Sequence, residues 1–192
     1  MMKRILCAFS CLLLLGLLLG CSKASFQGTD LTGAAFGGDF QLTTHTGKQS
    51  KLSDYRGKAV ALFFGYTNCP DVCPTTMSEL KAAMQQLGPK ADQVQVLFVS
   101  VDPERDTQNV LSHYVPAFDP RFVGLTGTLA QVEKVAEQYK IIIQKQGSGS
   151  SYTVDHSAGT YLLDKEGKLR VLVNYGAGPQ ILAHDLGVLV NE

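Results

Sequence analysis

Apolar residues along this chain come in three patterns, and each predicts a different kind of structure. Residues 5–19 are almost entirely apolar and follow the basic pair Lys3 and Arg4. At about fifteen residues that run is short for a membrane span, which needs roughly 20, and it suits the apolar region of a signal peptide. Residues 58–64 and 94–101 are shorter continuous apolar runs, the pattern of strands buried on both faces. A third pattern repeats at spacings of three and four. Met77, Leu80, Met84 and Leu87 predict a helix over about 75–87, stopped by Gly88-Pro89. Val132, Val135, Ala136 and Tyr139 predict a second over 129–139, and a shorter helix fits 107–114.

Turn residues supply the rest. Two short strand-like runs, at 40–42 and 51–52, flank a polar turn containing Gly47 and read as a hairpin. A strand begins at 141–143, and residues 147–151 are a Gly/Ser connector. Residues 158–163 and 169–173 form a second hairpin closed by Asp164-Lys165-Glu166-Gly167. Pro179 opens a last helix to about Val190. The order predicts an α/β fold: a central mixed sheet covered by helices, with an N-terminal hairpin.

Composition narrows the setting. Seventeen basic and seventeen acidic side chains cancel, so the chain lacks the clustered basic excess of a nucleic-acid-binding protein. Five cysteines divide unevenly: Cys7 and Cys11 lie in the leader, Cys21 ends it, and only Cys69 and Cys73 belong to the body. Leu18-Leu19-Gly20-Cys21 resembles a bacterial lipobox, where cleavage precedes the cysteine and its sulfur carries lipid. The domain organisation read from this is a signal peptide over 1–20, a lipid-anchored tether over 21–38, and one folded domain over 39–192. The expected location is a membrane surface facing the bacterial periplasm or the cell exterior. In such an oxidising compartment, a cysteine content reduced to one pair marks that pair as functional.

Cys69 and Cys73 follow directly on the first buried strand, at a helix entrance. Backbone N–H groups there favour negative charge, so both sulfurs are expected to ionise readily. A Cys-x-x-x-Cys pair either holds a soft metal or cycles through a disulfide. A metal site needs a third ligand, and imidazole is a common partner of thiolates. Of the four histidines, His45 falls at a hairpin tip, while His113 and His184 fall on helices. His156 stands in a polar turn leading to a strand, beside Asp155, which is placed to orient its ring. Met77 at helical spacing reads as core. The charged stretch 100–106 reads as an ion-pair turn capping a helix, and Asp71 as a loop residue near the sulfurs.

Three separated motifs together resemble the Sco/SenC family. They are Gly65-Tyr66-Thr67-Asn68-Cys69-Pro70-Asp71-Val72-Cys73-Pro74, Val101-Asp102-Pro103-Glu104-Arg105-Asp106-Thr107 and Val154-Asp155-His156-Ser157-Ala158. The resemblance implies a thioredoxin-like fold that binds one copper ion, Cu(I) or Cu(II), through Cys69, Cys73 and His156. It implies a metallochaperone, not an enzyme, that delivers copper to the binuclear site of cytochrome c oxidase subunit II. An upstream copper donor and a thiol reductant are the further partners it suggests. The alternative is a thiol–disulfide oxidoreductase that keeps that site's cysteines reduced, with Cys69 and Cys73 as the redox pair. A peroxidase, suggested by Thr67 ahead of Cys69, is a third reading. Many family members carry a transmembrane anchor, where this chain has Cys21.

Overall fold

Every residue of β4 (Ala59–Gly65) is buried, as its unbroken apolar sequence requires of a strand covered on both faces. The computed structural model describes residues 25–149 and 151–192. The segment read as a signal peptide and Cys21 lie outside the described residues. Among the described residues no helix is long and apolar enough to cross a membrane.

β5 (Val94–Ser100) lies parallel to β4, in register from Ala59 opposite Val94 to Gly65 opposite Ser100. Parallel neighbours need a crossover, and α1 (Val72–Leu87) supplies it. The next crossover, α2 (Gln108–Phe118), leads to β6 (Val123–Thr126), parallel to β5. On the other side of β4 the antiparallel hairpin of β9 (Thr160–Leu163) and β10 (Leu169–Val173) extends the sheet. The N-terminal hairpin, β2 (Gln41–Thr44) and β3 (Gln49–Lys51), pairs onto β6. With β1 (Thr29–Asp30) at the far edge, the mixed sheet has the order β1-β10-β9-β4-β5-β6-β2-β3. This is the expected α/β, thioredoxin-like arrangement.

Helices cover both faces, and the pleat of β4 sorts its two phenylalanines between them. Phe63 meets Phe98, which in turn meets Tyr114 of α2. Phe64 meets Tyr139, at the end of α3 (Leu129–Gln138), and Tyr139 also packs on Phe40 and Tyr161. The last helix, α4 (Pro179–Asn191), packs on α1 and against β4, β9 and β10.

Outside the main sheet, β7 (Ile143–Gln146) and β8 (Thr153–His156) form a separate two-stranded hairpin, with Ile143 opposite His156. The connector read at 147–151 joins these strands, and His156 ends β8 before β9 begins.

Three placements differ from the sequence reading. His156, read in a polar turn, is the last residue of strand β8. The helix after the cysteine loop begins at Val72, not near 75, so Cys73 lies in its first turn. From Gln27 onward, the segment read as a tether is bound to the domain. The Gln27 and Gly28 amides each donate to the Asp185 carboxylate at 2.8 Å, β1 pairs with β10, and Gly37 N–H donates to the Gln138 carbonyl. Main-chain groups do most of this holding, so the side-chain composition carries little trace of it.

Candidate metal centre

The site lies where β4 ends, at the carboxyl edge of the parallel strands, the edge at which open α/β sheets bind ligands. Cys73 is fully buried on the face of Phe63. Gly65 makes its room. A Cβ there would stand 3.0 Å from the Cys73 sulfur and 2.9 Å from ring carbons of Phe63 and Phe98. Cys69 is half-buried at the loop rim, and both cysteines are free. Asp71 occupies the N-cap position of α1, but its side chain caps no backbone amide. Instead the Cys73 N–H donates to the Cys69 sulfur at 3.5 Å, so sulfur serves one of the amides a helix start leaves open.

His156 reaches this point from β8. Its Nδ1 lies 2.9 Å from the Ser157 carbonyl oxygen, and its Nε2 lies 3.5 Å from the Cys73 sulfur. A carbonyl can only accept, so Nδ1 carries the proton and Nε2 turns a lone pair toward Cys73. Phe63 and Tyr66 hold the ring edge-on at centroid distances of 6.3 and 5.9 Å. Burial lowers the basicity of His156, which favours the neutral ring.

The electrostatics correct one expectation. Burial pushes the Cys73 thiol well above its ordinary range, and the nearby Cys69 and Asp106 add to the effect. For Cys73, loss of solvent outweighs the helix N-terminus. The thiol therefore stays protonated beside a neutral imidazole until something replaces its proton.

Among the described residues, no group of three or more His, Cys, Asp or Glu side chains is already gathered as a metal cluster. Cys73 and His156 form a close pair, and Cys69 joins them through the Cys73 amide. An open cavity of about 320 Å³ adjoins them, lined by Cys69 and His156 together with Tyr66, Pro70, Val72 and Val154. Cys73 lies behind that lining.

Of the other candidates, Asp71 and Asp155 also line this cavity, and the rest stand apart from it. Asp155 is exposed, and the ring's partner is the Ser157 carbonyl instead. Met77 is fully buried in the core. Asp71 is exposed and accepts from the Thr75 hydroxyl. His45 is not a free hairpin tip: its Nδ1 accepts from Gly124 N–H at 3.0 Å and ties the hairpin to β6. His113 is exposed on α2, and His184 bonds to Asp185. The stretch 100–106 does contain the expected ion pair, Asp102 with Arg105, and Thr107 caps α2.

Sequence reasoning missed Gly65, Tyr66 and the Ser157 carbonyl. A glycine ending an apolar strand just before a cysteine was the one available signal. Behind Cys73, the Tyr114 hydroxyl is buried and has no hydrogen-bond partner among the described residues.

The SCO1/SenC family model matches residues 28–191. The chain is 42% identical over 134 residues to the mitochondrial protein SCO2 homolog of Bos taurus, covering 68% of this chain and 50% of that protein. It spans about half the length of the first curated relatives it matches. Among solved structures, Bradyrhizobium japonicum ScoI with copper bound is similar at a TM-score of 0.75 and 40% identity, covering 81% of this chain and 99% of that one. Apo Sco1 from Thermus thermophilus is similar at 0.78 and 40%, covering 88% and 99%.

Proposed function

This chain belongs to the SCO1/SenC family, and on that premise we propose that it is a copper metallochaperone whose cargo is held by Cys69, Cys73 and His156. The observation that carries the reading is the 3.5 Å approach of His156 Nε2 to the Cys73 sulfur, with Cys69 at the mouth of the adjoining cavity. Two sulfurs and one imidazole suit a soft ion, Cu(I) first and Cu(II) through the nitrogen. A similar protein, ScoI of Bradyrhizobium japonicum, holds copper.

Each residue has a distinct part. Cys69 lines the cavity and is the sulfur an arriving ion meets. Cys73 gives up its proton to become the second thiolate, and burial then shields it from competing water. His156 needs no proton removed, because its Nδ1–H is committed to Ser157 and Nε2 is free to donate. We propose cytochrome c oxidase subunit II as the recipient, and lipid attachment at Cys21 as the means of holding the domain at an exported membrane face.

The test is a titration of the reduced protein with Cu(I), then presentation of apo subunit II. One ion per chain should bind and then move. The double substitution Cys69→Ala/Cys73→Ala should abolish tight binding, and wild-type affinity in that variant would overturn the reading.

A second reading is favoured by the unequal exposure of the pair. A reachable Cys69 and a buried Cys73 suit attack by Cys69 on a partner disulfide, followed by resolution by Cys73. Two thiols would become one Cys69–Cys73 disulfide as the partner gains two thiols. Thiol trapping in a copper-free mixture separates the readings, since only the exchange reaction consumes Cys69 and Cys73.

A further inference from the structure

The cysteine loop and His156 belong to segments far apart in sequence, Cys73 and His156 being separated by 83 positions. His156 ends a hairpin that pairs with no strand of the main sheet. A two-stranded hairpin alone is marginally stable, so something else must fix its place. Tyr152 and Val154 bury their side chains in the core. Near the cysteines the ties are the edge-on rings of Phe63 and Tyr66, the 3.5 Å approach of His156 Nε2 to Cys73, and a 3.4 Å bond from Val154 N–H to the Tyr66 hydroxyl.

The turn after β5 reaches both sides. Toward the hairpin, Arg105 lies over the Tyr152 ring at 3.6 Å from its centroid and donates through Nη1 to the Tyr152 carbonyl at 2.9 Å. Arg105 Nε also pairs with Asp102, and Asp102 accepts from the Tyr152 hydroxyl at 2.7 Å. Lys145 of β7 lies 3.7 Å from the same ring centroid and pairs with Glu104 at 2.9 Å. Toward the cysteines, the fully buried Asp106 carboxylate accepts from the Thr67 hydroxyl at 2.6 Å, the Thr67 amide at 3.1 Å and the Ser100 hydroxyl at 2.7 Å. Thr67 stands two residues before Cys69. Capping of α2 is done by Thr107 and accounts for neither reach.

We propose that this turn is a bracket setting the separation of the cysteine loop from His156. Asp106 is the positioning residue for the loop and Arg105 the positioning residue for the hairpin. Neither is a ligand. The inference rests on reading Cys69, Cys73 and His156 as one copper site. A set of donors works only when supporting groups hold it closely, and loss of an outer support commonly weakens metal binding ~10-fold or more.

The test compares Asp106→Ala, Asp106→Asn and Arg105→Ala with wild type. Asp185→Asn, far from the site, serves as a destabilised control. Two readouts need no copper: the rate of Cys69 alkylation by iodoacetamide, and amide exchange at Thr153–His156. Two use copper alone: Cu(I) affinity by competition, and the Cu(II)–thiolate absorption band. Asp106→Ala should speed alkylation, shift the band and weaken Cu(I) binding about 10-fold. Asn keeps an acceptor for Thr67 and should restore most of each. Arg105→Ala should speed exchange in the hairpin and weaken Cu(II) more than Cu(I).

If Asp106→Ala does not fold, Thr67→Val removes the 2.6 Å bond from the other partner and is read in the same way. Variants that lose stability as the control does, yet keep wild-type alkylation, exchange and copper spectrum, would overturn the bracket. If wild type itself binds no copper, the copper reading fails, and alkylation and exchange alone decide the bracket.

Discussion

Ser157 sets the direction of His156. Its carbonyl oxygen accepts a hydrogen bond from Nδ1–H at an N···O distance of 2.9 Å, which leaves Nε2 as the acceptor facing Cys73. Burial, which outweighs the pull of the Ser157 carbonyl, favours the neutral ring, and its Nε2 lone pair stays available. The arrangement gives His156 a role in coordination that is separable from the sulfur chemistry of the pair.

His156→Ala should therefore leave the domain folded and Cys69 and Cys73 able to form a disulfide, while weakening copper binding. Cu(II) should lose more than Cu(I), because two sulfurs alone still satisfy the softer ion. Competition titrations of both oxidation states check this, alongside circular dichroism. An unfolded His156→Ala chain would show that the ring is a packing element first.

Gly65→Ala should destabilise the fold by about 1–3 kcal/mol, the usual cost of overpacking a filled core. The new methyl group would press on Phe63, Phe98 and the Cys73 sulfur together, and a sheet paired on both sides of β4 gives it little room to shift. Urea unfolding measures the loss. Disulfide formation between Cys69 and Cys73 should slow or speed relative to wild type, because one sulfur has been displaced; unchanged stability and unchanged thiol kinetics would contradict the packing described.

Tyr114→Phe should stabilise the protein by about 1 kcal/mol. The hydroxyl is buried without a partner among the described residues, and a lost interaction with water that nothing replaces costs roughly 1–3 kcal/mol. The ring contacts with Phe98 and Phe118 survive the change. A fall in the urea midpoint would mean that the hydroxyl is served after all.

Asp185→Ala should cost about 3 kcal/mol and free the entry of the chain. Its fully buried carboxylate takes the Gln27 and Gly28 amides, and hydrogen bonds to charged groups contribute roughly 1.5–3 kcal/mol each before relaxation. Limited proteolysis should cut near residue 27 faster than in wild type. Copper affinity should not change, since nothing in this clamp reaches the cysteine loop.

The parts of the fold that rest on burial were legible in the sequence. β4 and β5 are continuous apolar runs because both their faces are covered, and the cysteine loop follows from the strand that ends before it. His156 stood out because a polar turn led it to a strand. What the pattern hid was work done by main chain and by solvent exclusion. β1 is held by backbone pairing and Asp185, so its polar residues resembled a free tether. Asp155 was the evident partner for His156, yet side chains alternate along β8 and Asp155 faces water while a carbonyl one residue on serves the ring. The expected ease of ionisation at Cys73 failed for a similar reason. A helix entrance is visible in a sequence, but the depth at which Gly65 seats the sulfur is not.

The direction of β1 has a mechanical meaning. It runs antiparallel to β10, with Thr29 opposite Leu172 and Asp30 opposite Val171, while Val173 lies opposite Thr160 and Thr160 opposite Phe63. The chain therefore enters the domain from the same end of the sheet at which Gly65 and the cysteines lie, displaced from β4 by three strand spacings, or about 15 Å. The entry of the chain and the cysteine loop therefore share one edge of the domain, and a force applied at Gln27 would act first on the end of the sheet that carries the cysteines.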